Sequence, residues 1–256
     1  MRLVVLATTL LTTSILAAPP SQPQPLRSGI EFQSPDVKAL QADAFANPGS
    51  LWVTRGAALW SEPRGEARVA CASCHGKLGE AMKSVAVRYP KHDATLGRVV
   101  NLEQRINACV ERNQKAPALA WESEPLLALT AFVTAQSNGG AIGVAIDGAA
   151  APVYEYGRRL YFERQGQLNV ACTQCHDGSW GRTLLNERVS QGHPADWPAY
   201  RLEWQSLGSL HRRLRACYFG VRAEMPPYGS PDLVALELYL AARARGLAIS
   251  VPGVRK

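Results

Sequence analysis

The chain has 256 residues, of which 46% are hydrophobic, 19% charged and 7% aromatic, a globular profile that excludes disordered and fibrous classes. Its net charge of +7 is not gathered in a Lys/Arg tail, which argues against a nucleic-acid-binding arm. Six cysteines are too few for a disulfide scaffold at this length, so their spacing carries the information.

In chain order, Met1 and Arg2 precede an uncharged apolar run from Leu3 to Leu16, closed by Ala17-Ala18 before Pro19-Pro20. One positive residue, a short apolar core and small residues at its end predict a signal peptide over 1–18. The run is shorter than the ~20 residues needed to span a bilayer, and no later stretch is apolar enough to do so. These features predict export to the periplasm without a membrane span. Residues 19–49 form an N-terminal extension, mobile where it is rich in Pro and Gln.

Ser50 is placed to cap a helix carrying Val53, Ala57 and Trp60, which stops before Pro63 and Gly65. The motif Cys71-Ala-Ser-Cys74-His75 follows, then Cys109, then a helix opened by Pro125 with Leu126, Leu129, Phe132 and Val133 at helical spacing. A Gly/Ala-rich stretch supplies the linker, 141–151. Pro152 opens a second helix with Tyr156, Leu160 and Tyr161. It is followed by Cys172-Thr-Gln-Cys175-His176, Cys217, and a helix opened by Pro231 with Leu233, Leu236 and Leu240. No run alternates well enough to predict a strand.

These landmarks repeat. Gly56 lies 15 residues before Cys71 and Gly157 lies 15 before Cys172, while Cys109 follows its motif at +38 and Cys217 at +45. The spacing predicts a mainly α protein of two tandem cytochrome c-like domains related by duplication, 50–140 and 152–256.

Cys-x-x-Cys-His is the attachment site of c-type haem: two thiols add across the vinyl groups, and the histidine binds iron. The chain therefore predicts two haem c groups, on Cys71, Cys74 and His75 and on Cys172, Cys175 and His176. A dithiol redox pair or a zinc site explains two such motifs less well. For the sixth ligand, a His/Met pair is the electron-carrier arrangement. Met82 lies only seven residues past His75, and His92 sits in a Lys/His/Asp loop. Cys109 is the better candidate because Cys217 takes the matching place. In the second half Met225-Pro-Pro competes with Cys217, and a Cys109–Cys217 disulfide is the remaining alternative.

The segment His211-Arg-Arg-Leu-Arg-Ala-Cys217 is the most cationic in the chain. If it is helical, Arg213 shares a face with Cys217, where its charge favours the thiolate and its planar fork suits an oxyanion. Arg212 and Arg215 read as a solvated face. Cys109 is followed by Glu111-Arg-Asn-Gln, with no comparable charge bias.

With these residues in place, the chain resembles the SoxA family, the dihaem cytochrome subunits of SoxAX thiosulfate-oxidising complexes. The resemblance rests on Gln41-x-Asp43, Asn47-Pro48, Leu51-Trp52-Val53, Gly56-x-x-Leu59-Trp60, both haem motifs and Pro198-x-Tyr200-Arg201-Leu202. It continues through Leu210-His-Arg-Arg-Leu-Arg-x-Cys217, Val221-Arg-Ala-Glu224 and Leu236-Glu-Leu-Tyr239-Leu. It implies His/Cys coordination of both haems, with His75 and Cys109 on one and His176 and Cys217 on the other. It also implies Cys217 as the catalytic cysteine and Arg213 as a thiosulfate ligand. The implied activity is that of an L-cysteine S-thiosulfotransferase, conjugating thiosulfate to a SoxYZ carrier cysteine and passing electrons to a SoxX-type monohaem partner. The rival reading is a dihaem electron-transfer protein without chemistry of its own, which predicts at least one His/Met haem.

Overall fold

The computed structural model describes residues 25–76 and 80–256. The apolar stretch at 1–18 and the leader to 24 lie outside the described residues. Helices dominate: α1 (Pro35–Ala42), α2 (Ser50–Ser61), the one-turn α3 (Cys71–His75), α4 (Leu102–Cys109), α5 (Glu124–Ala135), α6 (Ala151–Phe162), the one-turn α7 (Cys172–His176), α8 (Leu210–Gly220) and α9 (Pro231–Arg243). This is a mainly helical cytochrome c fold. No described helix is long and apolar enough to cross a membrane.

The helices start largely where the sequence places them. Pro125 and Pro231 lie in the first turns of α5 and α9, and Pro152 in that of α6, where a missing N–H costs nothing. Ser50 differs from expectation: it is the first helical residue, with Gly49 at the cap, and its hydroxyl donates to Ala44 O at 2.9 Å. The cap of α8 is Ser209, whose Oγ accepts from Arg212 N–H at 3.1 Å, and that of α4 is Asn101, whose Oδ1 accepts from Gln104 N–H at 3.0 Å.

The absence of strands predicted from sequence is corrected by seven short ones among the described residues: β1 (Lys91–Asp93), β2 (Arg98–Val100), β3 (Thr183–Leu184), β4 (Glu187–Arg188), β5 (Ala199–Arg201), β6 (Ser206–Gly208) and β7 (Gly253–Arg255). At two or three residues each, they are too short to print an alternation on the sequence. β1 pairs antiparallel with β2 and β3 with β4, while β5 lies between antiparallel β6 and parallel β7. Each of β1–β2 and β5–β6 is a hairpin that feeds directly into a helix bearing a third cysteine, α4 and α8.

Two close helix crossings hold the halves in shape. A Cβ on Gly56 would lie 2.1 Å from the Ala128 carbonyl oxygen, so α2 meets α5 backbone to backbone. A Cβ on Gly157 would lie 1.9 Å from the Ala235 carbonyl oxygen, and α6 meets α9 the same way. Around the first crossing, Leu59, Trp60, Leu129, Phe132 and Val133 are buried in one cluster with Val234, Leu238 and Ala241 of α9. The connector joins that cluster through Ile142 and Val144, and Ile142 N–H donates to Leu247 O at 2.9 Å. Despite its glycines and alanines, this stretch is packed.

The N-terminal segment straps the far side of the second half. Val254 N–H donates to Gln41 Oε1 at 2.8 Å and Asn47 Nδ2 to Pro252 O at 2.9 Å. The fully buried Asp196 accepts from Ser28 Oγ at 2.6 Å and pairs with Arg255, so that neither charge is left alone in the interior.

Between the halves, Glu103 at the start of α4 is 7% exposed and shares a cavity of about 70 Å³ with Glu237 of α9. Burial, reinforced by Glu237, pushes Glu103 up to about 7, with His211 pulling the other way.

Two predictions follow from this packing. Gly157→Ala should cost about 1–3 kcal/mol of unfolding free energy in a urea titration, because α6 and α9 must separate. Glu103 binds its proton more tightly folded than unfolded, so its contribution to stability falls as pH rises from its ordinary 4.5 towards 7 and stays lost above. Glu103→Gln should therefore be neutral near pH 4.5 and stabilising at pH 8, on the order of 2 kcal/mol.

Candidate haem sites

In each half the haem-type motif forms a single helical turn, which sets the two cysteines three apart on one face with the histidine next in line. In the second half Gln174 Oε1 accepts from Ala171 N–H at 2.7 Å and Thr173 Oγ1 donates to Asp177 Oδ2 at 2.7 Å, pinning both ends of the turn. Asp177 in turn accepts from Tyr161 Oη at 2.9 Å and pairs with Arg243. His176 Nδ1 lies 2.7 Å from Ser190 O. A carbonyl only accepts, so Nδ1 carries the proton and Nε2 is left as the ligating nitrogen. The loop can come this close because residue 192 is glycine at φ +74°: a Cβ there would stand 3.1 Å from the imidazole.

Cys217 faces this histidine from α8. Its thiol is half-buried, and burial alone would raise its pKa; the charge of Arg213 foremost, with Arg201 behind it, brings it down to about 7. By contrast, burial and then the neighbouring Cys217 push Cys172 up to about 12. The helical placement predicted for Arg213 holds, four residues before Cys217 on α8. Among the described residues no carboxylate lies within ion-pair distance of Arg213. Arg212 and Arg215 are not a merely solvated face. Arg212 lies over Trp204 at 4.2 Å and donates to Ser206 Oγ at 3.2 Å; Arg215 lies over Tyr228 at 4.5 Å and donates to Pro226 O.

In the first half Trp60 Nε1 donates to Gly76 O at 2.8 Å, and its ring sits 5.6 Å from that of His75. Gln114 Nε2 donates to Val69 O at 2.9 Å beside Cys71, whose thiol is pushed up by burial and then by Cys109. Cys109 accepts hydrogen bonds from Arg105 Nη1 at 3.3 Å and Asn113 Nδ2 at 3.7 Å. In each half the third cysteine thus stands beside the first cysteine of the motif.

Met82 packs against the core, and Met225 is 41% exposed. His92 sits on β1 opposite Val99. All six cysteines are free, so Cys109 and Cys217 are not joined.

Both motifs fit haem c: thiols on one turn, a histidine with a fixed tautomer in the second half, and a sulfur facing that histidine. The reading from sequence missed three residues here. Arg105 stands four before Cys109, just as Arg213 stands four before Cys217; only the sequence after Cys109 had been weighed for charge. Asp93 and Arg201, on the preceding hairpins, carried no signal without the strands.

A family model described as SoxA/TsdA, cytochrome c domain, matches residues 55–142. The chain is 40% identical to the L-cysteine S-thiosulfotransferase subunit SoxA of Pseudaminobacter salicylatoxidans, over 90% of this chain and 80% of the relative. It is 37% identical to the protein of the same name from Rhodovulum sulfidophilum, with the same coverage. A solved structure, SoxXA from P. pantotrophus, superposes with a TM-score of 0.86 at 34% identity, covering 90% of this chain and 86% of that one. With relatives this similar over nearly its whole described length, the chain belongs to the SoxA family.

Proposed function

We propose that this chain is the SoxA-type subunit of an L-cysteine S-thiosulfotransferase, and that Cys217 is the sulfur that receives thiosulfate. The observation that carries the reading is geometric: Cys217 faces His176 from α8, one turn after an arginine that no described carboxylate neutralises. The relatives' shared name supports the activity, and the SoxXA structure supports a SoxX-type monohaem cytochrome as partner.

The two halves, 50–140 and 152–256 joined by 141–151, are read as a duplication. Support comes from the paired glycine crossings, the paired hairpin–helix units and the paired motif turns. On this reading the chain holds two haem c groups, attached through Cys71 and Cys74 and through Cys172 and Cys175. His75 and Cys109 would hold the iron of the first, His176 and Cys217 that of the second. The stretch 1–18 is read as a signal peptide and 19–49 as an extension, which places the mature chain in the periplasm.

When bound, haem supplies an outlet for electrons, taken one at a time. The chain's own residues do the rest. Arg213 binds the sulfonate end of thiosulfate through its planar fork and turns the sulfane sulfur towards Cys217. A bond forms between Cys217 Sγ and that sulfur; thiolate and dianion together lose two electrons, leaving a Cys217–S–S–SO₃⁻ adduct. A carrier thiolate, on SoxYZ, then attacks the sulfane sulfur, and Cys217 departs as thiolate. Atoms and charge balance: one thiosulfate and one carrier thiolate give one carrier thiosulfonate and two electrons for the partner cytochrome.

The test is thiosulfate-dependent reduction of the partner cytochrome. Arg213→Ala should raise the thiosulfate KM by roughly tenfold or more at unchanged haem content, the loss of a charge-assisted bidentate contact. Arg213→Lys should recover only part of it. Wild-type kinetics in Arg213→Ala at low thiosulfate would remove Arg213 from the site.

A further inference from the structure

The two third cysteines sit on the same framework, and the residue at the end of the preceding strand differs in charge between them. Asp93 ends β1 and Arg201 ends β5; each precedes a hairpin turn, a capping residue (Asn101 or Ser209), an arginine (Arg105 or Arg213) and a cysteine (Cys109 or Cys217). Every such pair is 108 residues apart. In the first half Asp93 Oδ2 holds Arg105 Nε at 3.4 Å, and the same guanidinium donates to Cys109 Sγ at 3.3 Å. The carboxylate pairs with the arginine as it points at the sulfur, so this guanidinium is occupied by Asp93 and Cys109 together.

In the second half the acid is replaced by a base. Arg201 is 3% exposed, lies over Trp204 at 5.0 Å, and donates through Nη2 to Glu187 at 2.7 Å and Glu203 at 2.8 Å. Those carboxylates are 35% and 66% exposed, so water screens them. Arg201 Nε is buried with no hydrogen-bond partner. A guanidinium cannot latch another guanidinium. Burial first, and then the charge of Arg213, hold the Arg201 guanidinium below its ordinary pKa. No guanidinium hydrogen-bonds Cys217 among the described residues.

We propose that this strand-end residue, Asp93 in one half and Arg201 in the other, decides whether the third cysteine is a capped iron ligand or an open sulfur. It does so by latching or releasing the arginine on the following helix. Arg201 is on this account a positioning residue for the thiosulfate site: it keeps Arg213 free for the substrate's oxygens and leaves Cys217 uncovered. The Arg201 half rests on the thiosulfate reading above; the Asp93 half does not.

The experiment uses the haem-loaded chain with its partner cytochrome. Arg201→Asp gives Arg213 an acid of the kind that holds Arg105. It should raise the thiosulfate KM about tenfold, whereas Arg201→Lys, which keeps the charge and cannot latch Arg213, should raise it much less. Asp93→Asn decides the case even if Arg201→Asp does not load haem. Asparagine Oδ1 keeps the turn bonds that Asp93 Oδ1 accepts from Thr95 N–H at 2.9 Å and Leu96 N–H at 3.2 Å, and replaces only the oxygen that holds Arg105. The electron paramagnetic resonance g-values of the Cys109-side haem should then move, while those of the Cys217-side haem stay in place. A KM raised equally by Arg201→Lys and Arg201→Asp would overturn the proposal, as would first-haem g-values unchanged in Asp93→Asn. A shift in Asp93→Asn together with an inert Arg213→Ala would instead leave the latch standing and remove the thiosulfate reading.

Discussion

A thiolate removed from water must be matched by positive charge, or it takes up a proton and loses its nucleophilicity. At Cys217 that match is made foremost by Arg213 on its own helix, with Arg201 from the adjoining hairpin behind it.

The scaffold holds these groups by backbone contacts more than by side-chain fit. Glycines at 56 and 157 let helices touch carbonyl to Cα, fixing the walls against which each motif turn lies. The tautomer of His176 is set by a backbone carbonyl, which substitution cannot easily disturb. Gln41, Asn47 and Ser28 tie the N-terminal segment to the strand and loop that carry Arg255 and Asp196, behind the sheet whose middle strand ends in Arg201. The residues at 41 and 47 therefore earn their place by holding the second half's sheet. Nothing places them at the sulfur.

Much of this was legible in the sequence. The helix starts at Pro125, Pro152 and Pro231, the motif turns and the place of Arg213 beside Cys217 all depend on local rules: fixed proline geometry and the 3.6-residue period. What escaped is non-local or very short. Three-residue strands leave no periodic trace, so Asp93 and Arg201 could not be assigned to equivalent hairpins. Arg212 and Arg215 looked free because their partners, Trp204 and Tyr228, are brought in by the chain's path and not by helical spacing. Arg105 was legible in principle, four residues before Cys109, and comparing the residues before each third cysteine would have found it. That the Gly/Ala-rich connector is packed, with Ile142 and Val144 as core residues, is likewise a non-local fact that composition does not carry.

The central claim, that the sulfur of Cys217 itself carries the thiosulfate, is most directly tested on the molecule caught in turnover. The haem-loaded chain with oxidised partner cytochrome is mixed with thiosulfate in the absence of carrier, quenched in acid and digested, and the peptide containing Cys217 is weighed. The account predicts a thiosulfonate adduct on that peptide, discharged when a carrier thiol is added, with Cys109 unmodified. An unmodified Cys217 peptide under conditions where the partner cytochrome is reduced by thiosulfate would contradict it.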